Sequence, residues 1–261
     1  MQTPLIRIRD LSKRFHQKEI LKKLNLDIYP GETLVILGKS GTGKSVLLKH
    51  IIGLSKADSG SIEIGDKSLA NLSSSDLYQI TIEMGMLFQG AALFDSMTVE
   101  ENTGFFLRHH GDLKQKKPLS EEEITLRVKD ALKRVGLIEA LTKMPSELSG
   151  GMKKRAALAR LIVYNPSIIL YDEPTTGLDP ITSMQINELI VKTQQELKAT
   201  SVVVTHDILS ALYVGDRLAL MEDGVIIHID RKDLFMNICH PTIEFLKTTV
   251  PKDAYMRKNI T

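Results

Sequence analysis

The 261-residue chain is 43% hydrophobic and 25% charged, enough apolar material for one sizeable α/β domain or two small ones. Its formal net charge of +2 gives no compositional reason to invoke nucleic acid or an anionic membrane, and the single cysteine, Cys239, excludes an intrachain disulfide framework, so a reducing cytoplasmic setting fits. No apolar run reaches the ~20 residues that span a bilayer, and the opening MQTPLIRIRDLSKRF lacks the apolar core of a secretory signal, so any work at a membrane goes through a partner.

ETLVILG (32–38) is an apolar run ending in glycine, and it leads into a helix predicted over 44–52 whose Val46, Leu47 and Ile51 fall on an inward face. Between the two stands GKSGTGKS, in which Gly38, Gly43, Lys44 and Ser45 satisfy G-x-x-x-x-G-K-[ST]. Glycines at these places let backbone N–H groups close around phosphate oxygens, while Lys44 reaches the β- and γ-phosphates and the Ser45 hydroxyl ligates Mg²⁺. Gly38, Lys39, Ser40, Gly41, Thr42, Gly43, Lys44, Ser45 and Val46 therefore form the candidate nucleotide-binding stretch.

SIEIGDKSL (61–69) alternates around Gly-Asp, as an antiparallel hairpin does. From Gly90 to Pro166 the strand signals give way to helical ones, which read as a helical insertion over about 90–165 in an α/β core. Within it SEEEITLRVKDALKRVGL predicts a helix with Ser120 and Glu123 as a capping box and Ile124, Val128, Ala131, Leu132 and Val135 as its apolar stripe. Thr103 and Gly104 break the helical pattern of ENTGFFLRHH, and Lys114, Lys116 and Lys117 read as a solvated basic loop. LSGGMKKRAALAR (148–160) puts Ser149, Gly150 and Gly151 at a second helix N-terminus able to attract an anion, with Lys153, Lys154 and Arg155 expected on the exposed face.

IILYDEP ends an apolar strand in Asp172, which can hold a metal's water shell, while Glu173 can face an attacking water. A helical stretch with Ile186, Leu189, Ile190 and Leu197 leads to the strand SVVVT (201–205), and strand, helix, strand implies a parallel sheet with His206 at the phosphate-loop edge. RLALMEDGVIIHI (217–229) is a hairpin on Asp-Gly, so the sheet is mixed. The segment 241–261 reads as a short helix, anchored by Phe245 and Leu246, and a polar tail.

The ordered set GKSGTGKS, LFQG, LSGGM, ILYDEP, TGLDP and VVVTHD resembles the nucleotide-binding subunits of ABC transporters over residues 4–240. That resemblance implies a P-loop NTPase α/β fold for residues 1–240, with a mixed sheet, an antiparallel β subdomain and an inserted α-helical subdomain. It implies ATP and Mg²⁺ as cofactors, Phe15 as the aromatic that stacks on adenine, and Gln89 as the glutamine that senses Mg²⁺ and the attacking water. By the same resemblance Ser149, Gly150 and Gly151 are the signature loop, Asp179 belongs to the loop that communicates across the dimer, and His206 contacts the γ-phosphate. Two anion-binding helix starts in one chain then make sense, because such subunits pair head to tail as a homodimer with two composite ATP sites.

Met152 in the signature and the stretch FQGAALFDSMTVEEN are similar to the ATPase subunits of Mla/MCE-type phospholipid transporters. This implies a place on the cytoplasmic face of the inner membrane, integral permease partners, MCE-domain and accessory subunits, and no nucleic acid. It also implies that Ala91, Ala92, Leu93 and Phe94 line a groove for a permease helix. The motor of a small-solute importer and an FtsE-like mechanical ATPase that transports nothing share the same catalytic residues.

Overall fold

The computed structural model describes residues 2–249. In chain order the first elements are β1 (Ile6–Phe15), β2 (Lys18–Ile28), β3 (Thr33–Leu37), α1 (Lys44–Ile51), β4 (Ser59–Ile64), β5 (Lys67–Ser68), α2 (Ser74–Thr81) and β6 (Met84–Leu87). The middle of the chain forms α3 (Val99–His110), α4 (Glu121–Arg134), α5 (Gly150–Ile162), β7 (Ile168–Asp172) and α6 (Pro180–Leu197). After these come β8 (Thr200–Thr205), α7 (Ile208–Val214), β9 (Arg217–Glu222), β10 (Val225–Arg231), α8 (Lys232–Phe235) and α9 (Pro241–Thr249). Two compact units result: one takes the chain up to Ile82 and from Thr200 onward, the other Glu83–Ala199.

In the first unit β3 lies between β8 and β9, parallel to both, and β10 returns antiparallel on β9 through Asp223-Gly224, whose φ of 45° and 85° is the geometry of a tight hairpin turn. The sheet is mixed, as expected. Every residue of β3 and of β8 is buried, which is why β3 reads as an unbroken apolar or β-branched run and β8 as one interrupted only by Ser201. A separate antiparallel sheet, β2-β1-β4-β5, buries Ile6, Ile8, Leu11, Leu21, Leu24 and Ile28. Its β2 is joined to the β9–β10 turn by the Lys22 N–H, which donates to the Gly224 carbonyl at 3.0 Å.

Two sequence expectations need correction here. On α1 the inward face is Leu47, Leu48, His50 and Ile51, and Val46 is only half-buried, because the helix starts at Lys44 and Lys44 itself turns inward. On α9 the anchor is Ile243, fully buried, with the Thr242 hydroxyl donating to the Glu222 carboxylate, while Phe245 is 67% exposed. Ile243 and Phe245 are two residues apart, which on a helix separates their directions by about 200°. The remainder of the tail, 250–261, lies outside the described residues.

In the second unit β6 and β7 run parallel, with Leu87 opposite Tyr171. Helices α3, α4 and α5 pack on one another, and α5 also touches β6 and α6. The predicted capping box forms: the Ser120 hydroxyl accepts from the Glu123 N–H at 3.2 Å and the Glu123 carboxylate accepts from the Ser120 N–H at 3.0 Å. Ile124, Val128, Ala131 and Leu132 are buried along α4, and Val135 just beyond its end. α3 passes uninterrupted through Thr103 and Gly104. The Thr103 hydroxyl turns back onto the Val99 carbonyl at 2.7 Å, and a Cβ at residue 104 would stand 3.2 Å from Val128 Cγ2 of α4, so the glycine sets how closely the two helices approach. Among the described residues no helix is long and apolar enough to cross a membrane.

Candidate functional site

The first unit carries the phosphate loop at the C-terminal end of β3. Gly38 has room for nothing larger than hydrogen, since a Cβ there would meet the Met221 carbonyl oxygen at 2.4 Å. Gly41 and Gly43, at φ 82° and 106°, give the loop the left-handed turns that let consecutive N–H groups converge on one anion. Thr42 Oγ1 donates to the Lys39 carbonyl at 3.0 Å, closing the turn. Lys44 is 5% exposed, and its ammonium donates to the carbonyls of Gly38 at 2.7 Å and Lys39 at 3.0 Å, fixing a positive charge inside the loop at the start of α1. A glycine-rich turn, a helix N-terminus and a buried cation together fit a polyphosphate.

His206 stands one step past β8, and Gly38 one step past β3, and these neighbouring strands pair Leu37 with Thr205. The register therefore puts the exposed His206 at the same sheet edge as the loop, as expected. The β1–β2 hairpin reaches this edge too: a Cβ on Gly43 would meet the Ile20 carbonyl oxygen at 3.0 Å. Phe15 at its tip is 46% exposed, with Lys13 Nζ 5.5 Å from the ring centroid. It is a surface residue rather than a core one.

The second unit brings together the acidic strand end and the glutamine. Gln89 is exposed, two residues past β6; Asp172 closes β7 and Glu173 follows, both buried. Glu173 is left-handed at φ 46°, an uncommon conformation for a residue with a side chain. Its carboxylate Oε2 accepts from the Thr176 hydroxyl at 3.0 Å, and its carbonyl from the Thr176 N–H at 3.3 Å. The turn holds the carboxylate in a defined direction.

The signature stretch is a helix start, as predicted: Ser149 caps α5, its Oγ accepting from the Met152 N–H at 3.3 Å, and Ser149 and Gly150 are exposed. Asp179 caps α6 in turn, accepting from the N–H groups of Ile181 and Thr182 at 3.0 Å and from the Thr182 hydroxyl at 2.6 Å. These donations, the Thr182 hydroxyl first, hold the Asp179 carboxyl below the usual carboxylate range. Gly151 faces α6, where a Cβ would stand 2.5 Å from Thr182 Cγ2. Gly151→Ala is therefore destabilising by about 1–3 kcal/mol despite alanine's better helix propensity, and Thr182→Ser, which keeps the hydroxyl and removes Cγ2, restores the loss. Chemical denaturation of the single and double variants checks this; equal instability of the two would exclude the contact as the cause.

Three side chains escaped the sequence reading. Of Lys153, Lys154 and Arg155, all expected on the exposed face of α5, Lys153 and Arg155 are half-buried, and Lys154 is 5% exposed and donates to the Gln89 carbonyl at 2.6 Å and the Glu173 carbonyl at 3.3 Å. The spacing of Lys154 from Gly151, Leu158 and Leu161, all buried, is the signal that places it inward. Arg160 donates to the carbonyls of Ala92 at 2.7 Å and Ala91 at 3.1 Å and lies 5.9 Å from the Phe94 ring centroid. Thr176 orients Glu173 from three residues away, a local turn bond that hydrophobic patterning does not report. Ala91 is buried, whereas Phe94 is exposed beside Phe105 of α3, with ring centroids 4.7 Å apart.

Residues 21–176 match the family described as ABC transporter. Over 238 residues the chain is 39% identical to the probable ribonucleotide transport ATP-binding protein mkl of Mycobacterium leprae, covering 91% of this chain and 67% of that protein. It is also 39% identical over 227 residues to the intermembrane phospholipid transport system ATP-binding protein MlaF of Haemophilus influenzae, covering 87% of this chain and 84% of the relative. Among solved structures, a dimeric ATP-binding cassette in a post-hydrolysis state, bound to ADP and Pi, matches with a TM-score of 0.79 at 33% identity, covering 87% of this chain and 98% of that one. A phosphate loop ending β3, an acidic strand end at β7 and a capped signature helix, on an α/β fold shared with that cassette, identify the chain as a member of the ABC transporter family and one of its ATP-hydrolysing subunits.

Proposed function

We propose that the chain powers phospholipid transfer between membranes, as a head-to-tail homodimer docked on integral permease subunits at the cytoplasmic face of the inner membrane. The observation that carries this reading is the likeness to MlaF across 84% of that protein, together with Met152 and the FQGAALFDSMTVEEN stretch. The exposed Phe94, backed by Phe105 of α3, is an apolar seat of the kind a permease helix would take.

The chemistry is attack of water on the γ-phosphate of ATP, with ADP as leaving group. Glu173 takes the proton of the attacking water, and its bond from Thr176 fixes where that proton is received. Lys44 and the loop N–H groups stabilise charge on the phosphoryl oxygens, Ser149 and Gly150 supply the helix start that a partner subunit's ATP would meet, and Phe15 stacks on adenine. Bound Mg²⁺ would supply positive charge that neutralises the phosphate oxygens. Its holders would be Ser45, Asp172 and Gln89, a hydroxyl, a carboxylate and an amide oxygen suited to a hard cation. His206 contacts the γ-phosphate, and Asp179 relays the state of one site to the other.

The rival is a small-solute motor, which the ribonucleotide-transport name of the mycobacterial relative favours. Extraction of the Glu173→Gln variant from its native cell with ATP, followed by mass spectrometry of bound proteins and lipids, separates the two. A permease with an MCE-domain protein and phospholipid supports the proposal. A solute permease, or a membrane partner without lipid, overturns it.

A further inference from the structure

Helix α5 begins as the exposed signature loop, yet its body carries two cations directed at backbone carbonyls of the segment after β6. Arg160 holds Ala91 and Ala92, which are left-handed at φ 63° and 50°; Lys154 holds Gln89. Lys154 alone also reaches the turn after β7, where Glu173 is left-handed as well. Non-glycine residues adopt this conformation only at a cost and keep it where neighbouring bonds over-determine it. A buried ammonium is itself costly to desolvate, and a methionine of similar length would fill the space without that penalty. Burial pushes the Lys154 ammonium below the usual lysine range, while the charges of Asp172 and Glu173 oppose that shift. The cation is kept at a cost where packing alone does not require it.

We propose that Lys154 is a positioning residue for ATP hydrolysis: from the inner face of the signature helix it ties the backbone of Gln89 to that of Glu173, so that the base is aligned only while α5 and the segment 89–92 hold their places. The inference rests on the reading of Glu173 as the base. Force applied near Phe94 reaches Gln89 along the five residues 89–93, whose carbonyls α5 grips at 89, 91 and 92, and Lys154 passes it to Glu173. Membrane engagement and proton abstraction are thereby linked through one side chain.

The test is steady-state ATP hydrolysis by the purified full-length chain as Lys154→Met and Lys154→Gln. Methionine keeps the bulk and loses both donations. Glutamine keeps an N–H₂ donor but is one atom shorter, so it cannot serve both carbonyls. The expected result is a kcat lowered about 10- to 100-fold in the methionine variant and by a smaller factor, about 3- to 10-fold, in the glutamine variant. KM for ATP stays within about twofold in both, because the phosphate loop is untouched. A methionine variant with kcat within about twofold of the parent overturns the inference, as does a parallel loss of kcat and apparent ATP affinity. Should the methionine variant not fold, the glutamine variant decides alone, and an unchanged kcat overturns it. Glu173→Gln is measured alongside: normal turnover there sinks the assignment of the base, whereas loss there with normal turnover at Lys154→Met sinks only the positioning role.

Discussion

Glu173→Gln binds ATP as the parent does and hydrolyses it about 10²- to 10⁴-fold more slowly, the range a positioned general base supplies. The substitution is nearly isosteric, and the glutamine amide oxygen can still accept from the Thr176 hydroxyl that holds Oε2 at 3.0 Å, so the turn keeps its shape. What disappears is the negative charge that draws a proton from water. With hydrolysis blocked, the ATP-bound dimer accumulates, because nothing removes the γ-phosphate that favours it. Single-turnover kinetics with labelled ATP and size-exclusion chromatography with ATP report the two consequences. Turnover within a few-fold of the parent would exclude Glu173 as the base.

Lys44→Ala has an effect of comparable size on a different step. The ammonium sits inside the loop on the carbonyls of Gly38 and Lys39, so it is already in place before a phosphate arrives, and little of its contribution goes to ordering the side chain. Charge-assisted hydrogen bonds are worth about 1.5–3 kcal/mol each, and losing those made to the β- and γ-phosphates weakens ATP binding or turnover by at least about 100-fold. Calorimetric titration with ATP measures the binding, and thermal denaturation without nucleotide separates loss of the cation from loss of the fold. Unaltered binding and turnover would overturn the assignment of the loop.

Much of this was legible because several determinants are local. Ser120 and Glu123 announce a helix start three residues apart, Asp223-Gly224 announces a turn, and β3, β7 and β8 announce themselves as apolar runs because both faces are buried. The phosphate loop is a contiguous motif, and its conformation follows from its own glycines. The long β1–β2 hairpin was less clear, since register shifts near Asp10 and Lys13 break the alternation that would mark it. Lys154 misled for another reason: lysine is usually solvated, and only the α5 periodicity together with two carbonyls 65 and 19 residues away explains its burial. Phe245 misled in the opposite sense, because hydrophobicity alone does not say which face of a short helix meets the rest of the protein.

The pairing of β3 bears on how the chain comes into being. The strand that ends in the phosphate loop finds its partners only at Ser201–Thr205 and Arg217–Leu220, so on a ribosome it waits for some 170 residues to be made before either edge is covered. Five consecutive apolar or β-branched residues with two open edges are a template for intermolecular association throughout that interval. Contacts of such sequence separation also form slowly once the chain is complete. Nascent chains stalled short of Thr200 are thus expected to be an aggregation-prone species of this protein, because β3 has neither of its partners there.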